Sequence, residues 1–191
     1  RAASQIISYE LAMGISLIAL LMVTGTLSLK EMVVQQQSSY WNIVYQPLGF
    51  LIFLICSFAE CNRTPFDLPE AESELIGGYH TEYSSMKLGF YLFSEYINMF
   101  ISSVIMATLF FGGYDIPFVD ESALPANTAA ILGVLALMAK VVCFIFLFMW
   151  VRWTIPRFRY DQLMHLGWRI MIPLALLNML VTGGLILYFN K

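Results

Sequence analysis

The chain reads as all-α, a polytopic membrane helix bundle of about five transmembrane helices with a short acidic helix in one loop. Three observations predict this. Of 191 residues, 59% are hydrophobic and 12% charged, with a mean hydropathy of +0.73, which is too apolar for an ordinary soluble domain. The apolar residues gather into runs of the roughly 20 that a helix needs to cross about 30 Å of hydrocarbon. The charges gather between those runs.

Five segments meet the length rule: about residues 6–29 (A), 42–60 (B), 88–111 (C), 127–150 (D) and 168–189 (E), within one membrane domain over 1–191. Span B is the least regular, because Pro47 interrupts its first turns; proline is tolerated near a helix start, where its missing N–H is not needed. Trp41, Trp150, Trp153 and Trp168 fall near span ends, as interfacial aromatics do.

The loops differ in charge. Segment 61–87 carries Arg63 and Lys87 against Asp67, Glu70, Glu72, Glu74 and Glu82, and segment 151–167 carries Arg152, Arg157 and Arg159 against Asp161, with Arg169 just beyond. Loop C–D is short and acidic, with Asp115, Asp120 and Glu121. Lys/Arg bias sets orientation, so Arg1 and the acidic and basic loops are expected to share one face, in the cytoplasm or mitochondrial matrix. The other face keeps Lys30 and Lys191.

The densest signal is Glu60-Cys61-Asn62-Arg63-Thr64-Pro65-Phe66-Asp67-Leu68-Pro69-Glu70-Ala71-Glu72-Ser73-Glu74. Asp67 suits an N-cap, Glu70 the N3 position of a capping box, and Pro69 the first turn, which predicts a helix over about 68–76 with Gly77-Gly78 as its stop. Residues four apart align, so Glu70 and Glu74 share a face. A solvated, acid-capped surface helix explains Asp67 and Glu70. It does not explain Glu72, Glu74 or Glu60 at the end of an apolar span, and a polar chamber or proton path does.

Glu10, Glu95 and Lys140 fall inside spans A, C and D, where an ionisable group is expensive and is a functional candidate by default. Snorkelling to the interface is the plain alternative for Glu10 and Glu95. Lys140 is too deep for that and is expected to pair with Glu95 or Glu10. The arginines of the 151–167 loop alternate with aromatics; lipid-headgroup anchoring and a rim or docking surface both fit this pattern. His165 titrates near neutrality when unperturbed, but a lone histidine is usually structural.

Cys56, Cys61 and Cys143 form no Cys-x-x-Cys pair and no Cys/His metal spacing, and read as reduced and structural. There is no Gly-rich nucleotide loop, zinc-protease motif, nucleophile elbow or nucleic-acid signature, so no catalytic residue and no metal site is expected in this chain alone. The chain opens Arg1-Ala2-Ala3-Ser4 with neither methionine nor a secretory signal. It is expected to be a fragment, a split-gene product, or numbered from within a longer protein.

The run Ala59-Glu60-Cys61-Asn62-Arg63-Thr64-Pro65-Phe66-Asp67, then Glu70-x-Glu72-Ser73-Glu74-Leu75, closely resembles the quinone-site membrane subunit of respiratory complex I, known as the H subunit in bacteria and as NADH dehydrogenase subunit 1 in mitochondria. Ile7-Ser8-Tyr9-Glu10, Glu82-Tyr83, Glu95-Tyr96, Lys140 and Pro156-Arg157-Phe158-Arg159-Tyr160-Asp161-Gln162-Leu163-Met164 agree in family order. The family has about eight membrane helices, so the resemblance covers its C-terminal part and implies a companion segment carrying the other spans.

The resemblance implies a membrane subunit of proton-pumping NADH:quinone oxidoreductase, in a bacterial plasma membrane or mitochondrial inner membrane, with no redox centre of its own. Quinone is the substrate, and partner subunits hold FMN and iron–sulfur clusters. It puts Glu60, Arg63, Asp67, Glu70, Glu72, Glu74 and Glu82 around the quinone chamber. Glu10, Glu95 and Lys140 form an intramembrane proton route, and Arg152, Arg157, Arg159 and Asp161 a loop facing the hydrophilic arm. Other complex I subunits and membrane lipids are the expected partners, and nucleic acid is not. The rival readings are the homologous anchor of a membrane-bound hydrogenase-type complex, an independent ion transporter, and a purely structural anchor.

Overall fold

A computed structural model of the chain describes residues 2–67, 83–116 and 125–189. The expected acidic helix, with Glu70, Glu72, Glu74 and Glu82, and the loop acids Asp120 and Glu121 lie outside the described residues. Within them, all regular structure is helical. Four helices are long and apolar enough to cross a membrane: Ala3–Thr24, Ser85–Phe110, Asn127–Thr154 and the continuous run Tyr160–Phe189. Pro47–Glu60 is a shorter apolar helix.

Helix α1 (Ala2–Thr24) ends at Gly25, whose φ of +69° breaks the right-handed path. Span A therefore stops short of residue 29, and Leu29–Ser38 forms a separate short helix, α2. Span B is also divided. Asn42–Tyr45 (α3) and Pro47–Glu60 (α4) meet at Gln46, held at φ −135° and ψ 65°. A residue before proline is pushed off helical geometry, and Pro47 then opens the new helix. At 14 residues, α4 is about 21 Å long.

Helix α5 (Ser85–Phe110) closes at Gly112 and Gly113, with φ of +72° and +53°. Helix α6 (Ala126–Thr154) ends before Pro156, with Ile155 extended. Helix α7 (Tyr160–His165) starts where the Gln162 side chain accepts from the Arg159 backbone N–H at 3.2 Å. It runs through a π-helical turn, Leu166–Met171, into α8 (Ile172–Phe189). Pro173 explains the π turn: it offers no N–H to the preceding turn, and the Ile172 N–H reaches back to Gly167 instead. The last helix thus begins at Tyr160, eight residues earlier than expected, and the basic connection narrows to 155–159.

Helix α1 is the hub, packed along α4 and α8. Its buried positions, Gln5, Ser8, Tyr9, Ala12, Ser16, Ala19, Leu20 and Thr24, follow helical spacing and are mostly small or polar. Membrane helices pack through such stripes because lipid supplies no hydrophobic drive to join them. The serine hydroxyls stay satisfied on their own helix, Ser8 to Ser4 O at 2.6 Å and Ser16 to Met13 O at 2.7 Å. Helix α5 packs on α6. An aromatic layer joins α4 to this pair, with Phe50 against Phe110 and Phe111 at 5.3 and 5.4 Å, and Phe58 against Phe148 at 4.3 Å.

Candidate functional site

The C-terminal end of α4 gathers charge. After Cys61 the chain turns sharply at Asn62, whose φ is +47°, and carries Arg63 inward. Arg63 is only 6% exposed. Its guanidinium stands 4.4 Å over the Tyr96 ring on α5, a cation–π contact. Glu60, Arg63 and Glu95 all act electrostatically on the Cys61 thiol, and Glu10 acts on Glu60. Burial pushes the Cys61 thiol up, partly offset by its contact with Ser102 Oγ at 3.5 Å. Four sequence-selected residues, Glu10, Glu60, Arg63 and Glu95, thus lie toward one end of the bundle, with Arg63 buried, Glu95 half-buried, and Glu10 and Glu60 exposed. Beside them, Arg63, Tyr96, Phe148, Met149, Arg152 and Trp153 line a cavity of about 190 Å³.

Two loops close this end. The Phe158 N–H donates to Pro65 O at 3.2 Å, and Gln5 Nε2 donates to Phe66 O at 2.9 Å. Phe66 packs between Tyr9 at 5.2 Å and Phe158 at 5.9 Å. Tyr9 OH in turn donates to Leu163 O at 3.0 Å. Arg157 Nη2 lies 3.9 Å from Oδ2 of the buried Asp67. Residues 65–67 and 157–158 thus form one docked unit that includes Asp67 and Arg157, while Arg152, on α6, lines the cavity beside Arg63. Arg159 and Asp161 are exposed at the start of α7. Leu54, Phe58, Phe66, Val151, Phe158 and neighbours line an open, almost wholly apolar cavity of about 560 Å³.

Lys140 does not join the acids. Its Nζ donates to Phe111 O at 2.7 Å, Gly113 O at 2.9 Å and Asp115 O at 2.6 Å, and stands 4.9 Å from the Trp41 ring. The expected pairing with Glu95 or Glu10 is corrected by position. Lys140 meets the C-terminal end of α5, and Glu95 lies 15 residues before that end, roughly 22 Å along the helix. Depth within a span gave no direction for the side chain. The chain leaves α5 at Gly112 and runs back along α6, where three carbonyls without helical partners need a donor. Ordered non-helical backbone in a membrane bundle survives only when its polar groups are met.

Sequence reasoning passed over the rest of this cap. Gln36 donates to Thr108 O at 3.1 Å and accepts from Gly112 N at 3.0 Å and Asn42 N at 3.2 Å. Asn42 donates to Leu109 O at 2.8 Å, and Trp41 Nε1 donates to Asp115 Oδ2 at 2.9 Å. Gly112-Gly113 after a long apolar run was the available signal for a helix end. Tyr96 was also passed over as a site residue, although it adjoins Glu95. Among the described residues, no three His, Cys, Asp or Glu converge as metal ligands.

The NADH dehydrogenase family model matches residues 1–183. The chain is 70% identical over 189 residues to an NADH-quinone oxidoreductase H subunit of Cytophaga hutchinsonii, covering 99% of this chain and 55% of that protein. It is 70% identical to the corresponding H subunit of Flavobacterium psychrophilum, over all of this chain and 56% of the relative. Identity to the H subunit of Salinibacter ruber is 48%, over 98% of this chain and 58% of the relative. The chain thus spans about half the length of the curated relatives it matches. Its apolar helices make it an integral membrane protein, and its match over residues 1–183 shows that the chain belongs to the NADH dehydrogenase family.

Proposed function

We propose that this chain works as part of the membrane subunit of a proton-pumping NADH:quinone oxidoreductase, where it forms part of the quinone chamber and of the coupling route. The observation that carries this reading is the buried Arg63 guanidinium over the Tyr96 ring at a cavity near Glu60 and Glu95, beside loops docked through Asp67 and Arg157. The relatives' names supply the reaction class.

The chemistry follows from the charges. Quinone takes two electrons and two protons to become quinol. The electrons come from partner subunits carrying FMN and iron–sulfur clusters. A buried cation stacked on an aromatic ring suits a flat, weakly polar substrate that gains negative charge on reduction. That charge changes which of the neighbouring carboxylates is protonated, because charges a few ångströms apart in low dielectric interact strongly. Glu60, Glu10 and Glu95 then pass the change into the membrane, with Glu70, Glu72, Glu74 and Glu82 as further acids of the chamber. Lys140 lies too far from Glu95 for a direct step, and its role is to hold the end of α5. Arg152, Arg157, Arg159 and Asp161 face the hydrophilic arm. Both charged loops face the cytoplasm or matrix, and the companion segment supplies the other spans.

The test is Glu60→Gln in membranes carrying the assembled complex. Inhibitor-sensitive quinone reduction and proton pumping are expected to fall while the complex keeps its size on a native gel. Unchanged turnover and pumping would remove Glu60 from the route. A chain that co-purifies with no redox subunits would overturn the whole reading.

A further inference from the structure

A second polar site lies away from the charged end, where α1, α4 and α8 meet. Gln46 is 2% exposed and Asn178 8%. Gln46 Nε2 donates to Ala19 O and to Thr182 Oγ1, both at 3.0 Å, and Thr182 Oγ1 donates onward to Asn178 O at 2.6 Å. This fixes the Gln46 amide, because turning it over would set its oxygen against the Ala19 carbonyl. Its Oε1 then points toward Gly49. Gln46 Oε1 and Asn178 Nδ2 are both buried and find no hydrogen-bond partner among the described residues. Both face the same spot: a Cβ added to Gly49 would stand 2.8 Å from Gln46 Oε1 and 3.4 Å from Asn178 Nδ2.

We infer that one water molecule is held between Gln46 and Asn178 beside Gly49, donating to Gln46 Oε1 and accepting from Asn178 Nδ2. Unmet buried polar groups are costly, most of all in a membrane bundle, and small polar sites of this kind take ordered water. The pair demands a ligand that both donates and accepts. A metal cation would satisfy Gln46 Oε1 but meet the N–H groups of Asn178, and an anion would meet the reverse conflict. Glycine at position 49 keeps the approach open, since any side chain there would press on Gln46 Oε1. The water completes a ring of hydrogen bonds that ties the start of α4 to α1 and α8. It is independent of the coupling role proposed above.

The experiment is cryo-electron microscopy of the native assembly that contains this chain, at a resolution that shows ordered waters. One isolated density peak is expected within hydrogen-bond distance of both Gln46 Oε1 and Asn178 Nδ2. The peak is expected to be lost in Gly49→Ala while the Gln46 bond to Ala19 persists. A direct Gln46–Asn178 hydrogen bond with no peak would overturn the inference, as would a side chain from another segment filling the spot.

Discussion

Lys140 and Asp115 are joined through the backbone: Nζ donates to the Asp115 carbonyl oxygen at 2.6 Å, while the Asp115 carboxylate accepts from Trp41 Nε1 at 2.9 Å. Asp115 thus ties α6 to Trp41 at the start of α3, and the helix end between them is held from both sides. Lys140→Met leaves the carbonyls of Phe111, Gly113 and Asp115 without their donor. Each stranded, half-buried group costs up to about 1–3 kcal/mol, so the expected result is lower thermal stability and lower yield of the assembled complex. Heat inactivation of purified complex measures this. A variant that assembles normally but pumps fewer protons per electron would instead return Lys140 to the proton route.

Gln36 acts on the same helix end by a different means. Its amide both accepts from Gly112 and donates to Thr108, a pairing that neither a carboxylate nor an apolar residue reproduces. Gln36→Leu is expected to cost about 2 kcal/mol or more. It should speed hydrogen exchange at the Gly112 and Asn42 amides, with exchange near Tyr9 unchanged.

Gly112 allows an internal control. Its φ is +72°, and a Cβ there would stand 3.0 Å from Trp41 Nε1. The left-handed conformation alone costs a side chain about 1–2 kcal/mol, so Gly112→Ala is expected to destabilise. Gly14 sits inside α1 with nothing within 4 Å of its added Cβ. Gly14→Ala is expected to be neutral or stabilising by a few tenths of a kcal/mol up to about 1. Melting of the two variants side by side checks the contrast.

Apolar run length made the bundle legible, because the need to cross hydrocarbon leaves a long, one-dimensional signal. Breaks were less legible. Pro47 marked the irregular span B, yet the short α4 depends on Gln46 finding Ala19 and Thr182, partners 27 and 136 residues away. The acids Glu10, Glu60 and Glu95 were visible one by one as expensive charges, and their place toward one end of the bundle follows from spans that alternate direction. Lys140 was visible as a costly charge, but its partners are carbonyls, which no sequence pattern displays. Tyr96 was hidden for a similar reason: an aromatic in an apolar helix gains meaning only when Arg63 lies over it.

The Asp67–Arg157 pair is expected to couple weakly. Its atoms are 3.9 Å apart, and the Arg157 side chain is 37% exposed while that of Asp67 is 2% exposed. Solvent screening on the arginine side reduces the gain to about 1 kcal/mol or less. A double-mutant cycle with Asp67→Asn and Arg157→Gln measures it. Arg157→Gln alone should cost more than Asp67→Asn, because it leaves the buried Asp67 carboxylate without the Arg157 cation. Equal single effects would place the stabilisation in loop docking through Phe66 and Phe158 instead.

Arg63 gives the sharpest separation of charge from shape. Its guanidinium is buried over the Tyr96 ring, with Glu60 and Glu95 nearby. Arg63→Met keeps the length but removes the cation, so the carboxylates lose their compensating charge and, under the proposed function, reduced quinone loses a positive neighbour. Inhibitor-sensitive NADH:quinone reductase activity is expected to fall about tenfold or more, equivalent to about 1.4 kcal/mol of barrier. Arg63→Lys restores charge without the planar stack, and arginine and lysine differ most at stacked sites, so an intermediate rate is expected. Tyr96→Phe keeps the ring face and the Arg63 cation and loses the hydroxyl with its hydrogen bonds to Arg63 and Arg152, and should be the mildest of the three. NADH oxidation with an artificial acceptor that bypasses quinone reports assembly and should stay level throughout. If Arg63→Met and Arg63→Lys are equally impaired, the stack rather than the charge governs the site. If neither is impaired, Arg63 serves the docked loops alone.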